Sequence, residues 1–511
     1  MAGLNQFTGR LGFILASAAA AIGLGNIWRF PYLVAEYGGG IFVLIYFLFV
    51  LSLGFTLITV EIAIGRKTGK SALEAFKCLC SSHPVFTKIA GWLPFIVTIV
   101  ILSYYTVIAG WILKYCLGYI TNSGELLAAN NGAFFSSYIG GSIEPVIWTL
   151  VVFVIAAVIL SFGVQKGLQR FCVILVPILI VCMAGLAVYV LTLPGGIDGL
   201  LYCFVPDFSK LSLGTVVAAM GQTFFSLCIG SGVYITYGMY LSKKENIEKS
   251  VHWIEVFDTG IALLAMLLII PIAFVFSGGS PEALGSGPGL LFEQIPQVLV
   301  SLQGGGAVLG VIFFLVVFIA ALTSLFALIE VPTAVLISRF KLSRIKALTA
   351  VCSIAALLSL TVNFGYSIWK DVTIFGNTVL DSFKQTTIEN FISIIHDVNN
   401  AATTQFCEFL HEIEVERKEQ FLNLLKEREE TDIRLQKLLA ALKKMPDTAF
   451  VEEELKEIEK KKSIIESARK TLVEISAGLV VLNAEYNKVS ESLNDIDIAS
   501  LKLVEDRRIL K

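Results

Sequence analysis

Apolar runs long enough to cross a bilayer fill the first three quarters of the chain. A helix needs about 20 apolar residues to span the hydrocarbon. Nine such runs lie near residues 11–36, 41–64, 90–118, 145–163, 169–193, 213–241, 252–276, 306–338 and 346–366. Backbone polar groups in lipid must be satisfied within the segment, so these runs have to be helices. The pattern predicts an all-α membrane protein. Charge marks where this material ends. Residues 1–383 carry 35 Asp, Glu, Lys and Arg, about 9%, whereas residues 384–511 carry 45, about 35%. A soluble domain is about a quarter charged. The first part is too apolar for water and the second too charged for a bilayer. A single soluble enzyme domain is excluded, and so is a chain that spans membrane throughout.

Composition excludes other classes. The net charge is −2, with no basic stripe and interleaved aromatics, so no nucleic-acid partner is expected. No Walker loop, nucleophile elbow or metal-ligand set points to an enzyme. The nine cysteines lie mostly in apolar runs, where Cys acts as a small hydrophobe. Cys78-Leu79-Cys80 lacks the company a zinc site needs. The first apolar run is long, broken by glycine and followed by more spans, which argues against a cleaved signal peptide.

Lysine and arginine set the expected orientation. Arg66, Lys67 and Lys70 follow the second run, Lys166 and Arg170 the fourth, Lys243 and Lys244 the sixth, and Arg339, Lys341, Arg344 and Lys346 the eighth. Of the intervening loops, 119–144 and 277–305 have none and 194–212 has only Lys210. The positive-inside rule then places the amino terminus and these basic loops in the cytoplasm. An odd count of nine places residue 370 onward outside.

Two runs are interrupted where a helix should be continuous. Gly23-Leu24-Gly25-Asn26 lies in the first, and Ser226-Leu227-Cys228-Ile229-Gly230-Ser231-Gly232 in the sixth. Glycine holds a helix poorly, so both are expected to unwind there. Freed amides suit a carboxylate and freed carbonyls a cation. A packing pair of glycines is the simpler reading of one such motif. Two of them, beside Asn26 and Ser226 and five spans apart, point to a site shared by two repeats.

Arg10-Leu11-Gly12-Phe13, Ile22 to Tyr32, and Gly38-Gly39-Gly40 together resemble the neurotransmitter:sodium symporter family. So do Glu61 to Arg66, Ser103-Tyr104-Tyr105 with Trp111, Gly221 to Leu227, Gly287-Pro288-Gly289-Leu290 and Ala320 to Ser324. The order is kept over residues 1–383, and the bacterial amino-acid branch is the most similar, which implies a multi-pass protein of a bacterial plasma membrane. The resemblance implies a broken-helix, inverted-repeat core of the five-plus-five type. It also implies a sodium-dependent symporter of neutral, hydrophobic or aromatic amino acids that works by alternating access. One sodium ion would touch the Ala21 carbonyl, Asn26, Ser226 and a residue of the seventh span. A second would touch the Ala19, Ile22 and Ala320 carbonyls and the Thr323 and Ser324 hydroxyls. The substrate carboxylate would lie on the Leu24 and Gly25 amides and the Tyr105 hydroxyl. Ile101, Phe225, Cys228, Ser231 and Leu328 would line the side-chain pocket. Gly23 stands where amine-transporting members carry an acid, so the substrate should bring its own carboxylate.

Asp258 is a rare intramembrane acid, and such residues are functional by default. Glu255 competes with it for the sodium contact. Bacterial members place an acid here in place of chloride, so the resemblance implies that chloride is not required. Glu61 and Glu330 are read as structural partners of backbone or of arginine.

Three departures from the family stand out. Leu4 and Phe7 replace the Arg and Trp of the inner gate, and Ser338 replaces its acid. Lys384 stands where the acid partner of Arg29, the outer gate, should be. Spans ten to twelve do not follow, and a core without them would be impaired. The pattern breaks inside a motif, which suggests a fusion at Phe383–Lys384.

The tail, 384–511, reads as two helices around Met445-Pro446-Asp447. Ile465, Ala468, Leu472, Ile475, Leu479, Leu482, Tyr486, Val489, Leu493 and Ile496 keep a 3-4 alternation over four heptads. A coiled-coil domain is expected, able to associate with itself or with another helical protein. The second functional reading is a non-transporting membrane scaffold or receptor that presents this coiled coil.

Overall fold

The computed structural model describes residues 7–79, 84–121, 124–128, 133–277, 288–301 and 306–369, the pairs 373–374 and 377–378, and position 433. The chain divides into two units, Met1–Lys384 and Gln385–Lys511. The coiled-coil expectation, Lys384 and Leu4 all fall outside the described residues.

The first unit is a helical membrane bundle. Its principal helices are α1 (Gly9–Ala21), α2 (Gly25–Glu36), α3 (Gly40–Thr68), α4 (Ile89–Ile120), α5 (Glu144–Ser161), α6 (Val164–Leu191), α7 (Leu213–Ser226), α8 (Val233–Met239), α9 (Ile247–Val275), α10 (Gly306–Phe340) and α11 (Arg344–Tyr366). Short helices connect them, and Thr373–Ile374 pairs antiparallel with Asn377–Thr378.

Among the described residues, the breaks expected in the first and sixth runs are both present. Seven helices are long and apolar enough to cross alone, and α1 with α2 forms a bent eighth. The sixth apolar run has instead become two shorter helices, α7 and α8, parted by residues 227–232. Hydropathy alone does not separate a continuous crossing from this pair, and the glycines of the run are what led us to expect the break.

Position in the bundle follows from how apolar each helix is around its whole circumference. The core window of α10 is 83% buried and that of α4 72%, against 28% for α11. The first two form the centre, and α11 shows most of its surface outward. Helices α3 and α8 approach backbone to backbone. A Cβ at Gly65 would strike the Ile235 carbonyl, and one at Gly238 the Ile62 carbonyl. Small residues allow this approach in lipid, where dispersion rather than water exclusion drives helix contact.

The ends that carry the basic loops are tied together. Arg344 grips the buried Glu330 with two bonds, Nη2 to Oε2 at 2.7 Å and Nη1 to Oε1 at 3.0 Å. The Tyr240 hydroxyl donates to the same Oε1 at 2.9 Å, and Arg344 Nε donates to the Leu160 carbonyl at 2.9 Å. Glu330 is thus an arginine partner, as expected, and Arg344 is more than a loop charge. Three segments meet on this one carboxylate, and Arg344 ties in a fourth through Leu160.

Candidate functional site

Both breaks release backbone groups into the middle of the bundle. In the first, α1 stops at Ala21, Ile22 turns to an extended conformation, and α2 resumes at 57° to α1. The last carbonyls of a helix have no partner inside it. Here the Ser324 hydroxyl donates to the Ile22 carbonyl at 2.8 Å and lies 3.5 Å from the Ala19 carbonyl. The Thr323 hydroxyl donates to the Ile319 and Ala320 carbonyls at 3.0 and 3.1 Å. Of the five residues that the resemblance grouped, Ser324 brings Ala19 and Ile22 together at the α1–α10 contact, while the Thr323 hydroxyl bonds within α10 to the Ala320 carbonyl. Their donors are neutral oxygens, which suit a monovalent cation at low desolvation cost.

A second cluster forms on the other side of the break. Asn26 Nδ2 donates to Asp258 Oδ1 at 2.8 Å, to the Asp258 carbonyl at 3.2 Å and to Ser226 Oγ at 3.1 Å. The Ser226 hydroxyl donates to Asp258 Oδ2 at 2.9 Å, and the Tyr46 hydroxyl lies 3.4 Å from that oxygen. Asn26, Ser226 and Asp258 are buried. Asn26 Oδ1 accepts from the Gly23 amide at 3.1 Å. This amide orientation aims nitrogen at the carboxylate, and a flip would aim oxygen at a cation beside it. Ala21 closes α1 and is buried. The competing acid, Glu255, stands three positions before Asp258 on α9, with its Oε2 3.7 Å from His252 Nδ1.

Between the clusters, the Leu24 amide donates to the Tyr105 hydroxyl at 3.4 Å. Ile101 precedes Tyr105 by four residues on α4, and Leu328 follows Ser324 by four on α10, so each pair shares a helix face. In the second break, Cys228 adopts a φ of +51°, and Gly230 and Gly232 also have positive φ. The Cys228 thiol lies 3.6 Å from the Ala20 carbonyl, and the Ser231 hydroxyl donates to the Cys228 carbonyl at 2.5 Å. The Phe225 ring presses on Gly25, where a Cβ would come within 2.6 Å of it. Glu61 accepts the Gly230 amide at 2.7 Å, so it is a backbone partner, as expected.

Lys384 lies outside the described residues, and among those described Arg29 has a neutral partner. Its Nη1 donates to Gln222 Oε1 at 2.5 Å, Gln222 Nε2 donates to the Gly25 carbonyl at 3.3 Å, and its guanidinium lies 5.2 Å from the Phe225 ring centre. Such cation–π contacts stabilise by roughly 0.5–2 kcal/mol. Gln222 was visible as a polar residue in an apolar run, but its role depends on how the first and sixth runs pair. Tyr46 gave no signal of its own.

The sodium:neurotransmitter symporter family model matches residues 4–128 and 139–429. The chain belongs to this family. The match continues past Phe383, beyond where the motifs alone were read to stop. The sodium-dependent transporter YhdH of Bacillus subtilis is 36% identical over 380 residues, 74% of this chain and 82% of its own. A sodium-dependent transporter of Haemophilus influenzae is 33% identical over 392 residues, 74% and 84% of the two chains. The crystal structure of MhsT in complex with L-phenylalanine superposes with a TM-score of 0.66 at 38% identity, covering 74% of this chain and 85% of that one. These relatives place the chain in the bacterial branch of the symporter family. It is a multi-pass membrane transporter and not an enzyme.

Proposed function

We propose that this symporter moves neutral, hydrophobic or aromatic amino acids with two sodium ions, without chloride. In this reading one ion sits between Asn26, Ser226, Asp258 and the Ala21 carbonyl. The other sits between Ser324, Thr323 and the Ala19, Ile22 and Ala320 carbonyls. Leu24, Gly25 and Tyr105 receive the substrate carboxylate, and Ile101, Phe225, Cys228, Ser231 and Leu328 surround its side chain. Arg29 closes the outer side through Gln222. Rocking of the two repeats alternates access, with the amino terminus in the cytoplasm of a bacterial cell. Residues 1–383 form the transporting core. Residues 384–511 add a coiled coil that pairs with itself or with another helical protein.

The observation that carries the substrate class is Gly23. A Cβ there would lie 2.8 Å from Ser324 Oγ and 3.0 Å from Tyr105 Oη. No side-chain carboxylate fits at that point, so the negative group beside the Leu24 amide has to arrive with the ligand. The relative solved with L-phenylalanine supports the same choice. Competition against a tritiated hydrophobic amino acid tests it. L-Phenylalanine should compete, and phenethylamine, which lacks only the carboxylate, should be at least about 100-fold weaker, the cost of losing charge-assisted bonds in a buried site. Equal competition by the amine would overturn the assignment.

A further inference from the structure

At the end of the bundle that carries the basic loops, the sequence lacks both charges of the family's inner-gate pair, and other contacts among the described residues hold this end. Ser338, which replaces the acid, shares a hydrogen bond with Ser71 at 2.5 Å between hydroxyl oxygens. Phe7 is buried, with its ring 5.5 Å from Phe13 and 5.6 Å from Tyr237, centre to centre. Its amide donates to the Tyr240 carbonyl at 3.2 Å.

The next residue is held more tightly. The Thr8 amide donates to Gln169 Oε1 at 2.9 Å. Gln169 Nε2 donates to the Thr8 carbonyl at 3.1 Å and to the Thr8 hydroxyl at 2.8 Å. One carboxamide thus engages the amide, carbonyl and hydroxyl of one threonine. Gln169 is buried and ends a wide turn of helix, Val164–Gln169, that starts α6 after Gly163 at a φ of +91°. Gly12 makes room for it, since a Cβ there would run into the carboxamide.

Buried polar groups are costly unless paired, so this contact has two low-energy conditions: closed and dry, or open and hydrated. Thr8 is the residue before α1, and α1 is a rod of 13 residues, roughly 20 Å long. At its far end are the Ala19 and Ile22 carbonyls that meet Ser324. Fixing Thr8 therefore fixes the position of those carbonyls.

We infer that Gln169 is a positioning residue that latches the inner end shut through Thr8 and thereby holds the Ala19 and Ile22 carbonyls in place for a cation. The inference rests on the transport reading above. Coupling of this kind is reciprocal: a cation at Ser324 favours the closed latch, and the closed latch favours the cation.

Native cysteines report on the latch without added substrate. Cys172 lies one turn beyond Gln169 on α6 and is buried. Cys203, in the helix Gly196–Phe204, is equally buried and serves as the control. Purified full-length protein in saturating sodium chloride is treated with a maleimide, and each cysteine is followed by peptide mass spectrometry. Gln169→Leu should speed Cys172 modification about tenfold, as expected for the loss of about two net hydrogen bonds, and leave Cys203 unchanged. The sodium needed for half-maximal amino-acid binding should rise several-fold, while amino-acid affinity at saturating sodium stays within about twofold. Thr8→Val, which removes one of the three bonds, should give a smaller rise, and Thr8→Ser should match the native protein. Three results would overturn the latch: Cys172 as slow as in the native chain, Cys172 and Cys203 rising together, or an unchanged sodium requirement. Loss of amino-acid binding by the native chain, with Cys172 still protected, would count against the transport reading alone.

Discussion

Asp258→Asn is expected to raise the sodium concentration for half-maximal amino-acid binding by roughly two orders of magnitude and to make the remaining binding depend on chloride. The carboxylate is buried, with Asn26 Nδ2 at 2.8 Å, the Ser226 hydroxyl at 2.9 Å and the Tyr46 hydroxyl at 3.4 Å. A negative charge about 4 Å from a cation is worth around 4 kcal/mol at an effective dielectric of 20, so losing most of it costs two to three decades of affinity. Asparagine keeps the shape and one acceptor, which limits any effect on folding. It also frees the Tyr46 and Ser226 hydroxyls to donate to an external anion. Sodium titrations of binding in chloride and in gluconate separate the two effects. A variant with the native sodium requirement in gluconate would remove Asp258 from the ion site.

Ser324→Ala is expected to weaken sodium dependence by about 10- to 100-fold without introducing any response to chloride. The hydroxyl is the group that reaches both the Ile22 carbonyl, at 2.8 Å, and the Ala19 carbonyl, at 3.5 Å. Removing it leaves buried carbonyls without a donor and takes one oxygen from the cation. Asp258 and Ser324 lie on opposite sides of the α1 break, so the two variants address different ions. The double variant should therefore lose the sum of the two free energies, because neither side chain contacts the other's partners. A native sodium requirement in Ser324→Ala would leave only one ion site.

Much of this site was legible because membrane sequence is so uniform. Asn26, Ser226 and Asp258 stand out as polar residues in apolar runs, and lipid tolerates such groups only where they have partners. The GxG at Gly23–Gly25 announced a break for the same reason. Pairing between distant runs was less legible. Gln222 holds Arg29 across 193 positions, and Gln169 holds Thr8 across 161. Neither glutamine differs locally from a residue satisfied by its own helix. Arg344 looked like one more loop cation, because nothing in its neighbourhood shows that it turns back 14 positions onto Glu330. The break in the sixth run was legible from Gly230 and Gly232, whereas the positive φ of Cys228 was not, because cysteine carries no preference for that conformation.

The central claim is that the broken first and sixth segments hold an amino acid together with sodium. Equilibrium binding of tritiated L-phenylalanine to the purified full-length chain, titrated with sodium at constant ionic strength in potassium, measures this directly. Saturable binding that needs sodium, rises with a Hill slope above one and is lost in Asn26→Ala is the predicted result. Binding that is equal in sodium and potassium, or an absence of saturable binding to a folded protein by any of the hydrophobic or aromatic amino acids, would contradict it.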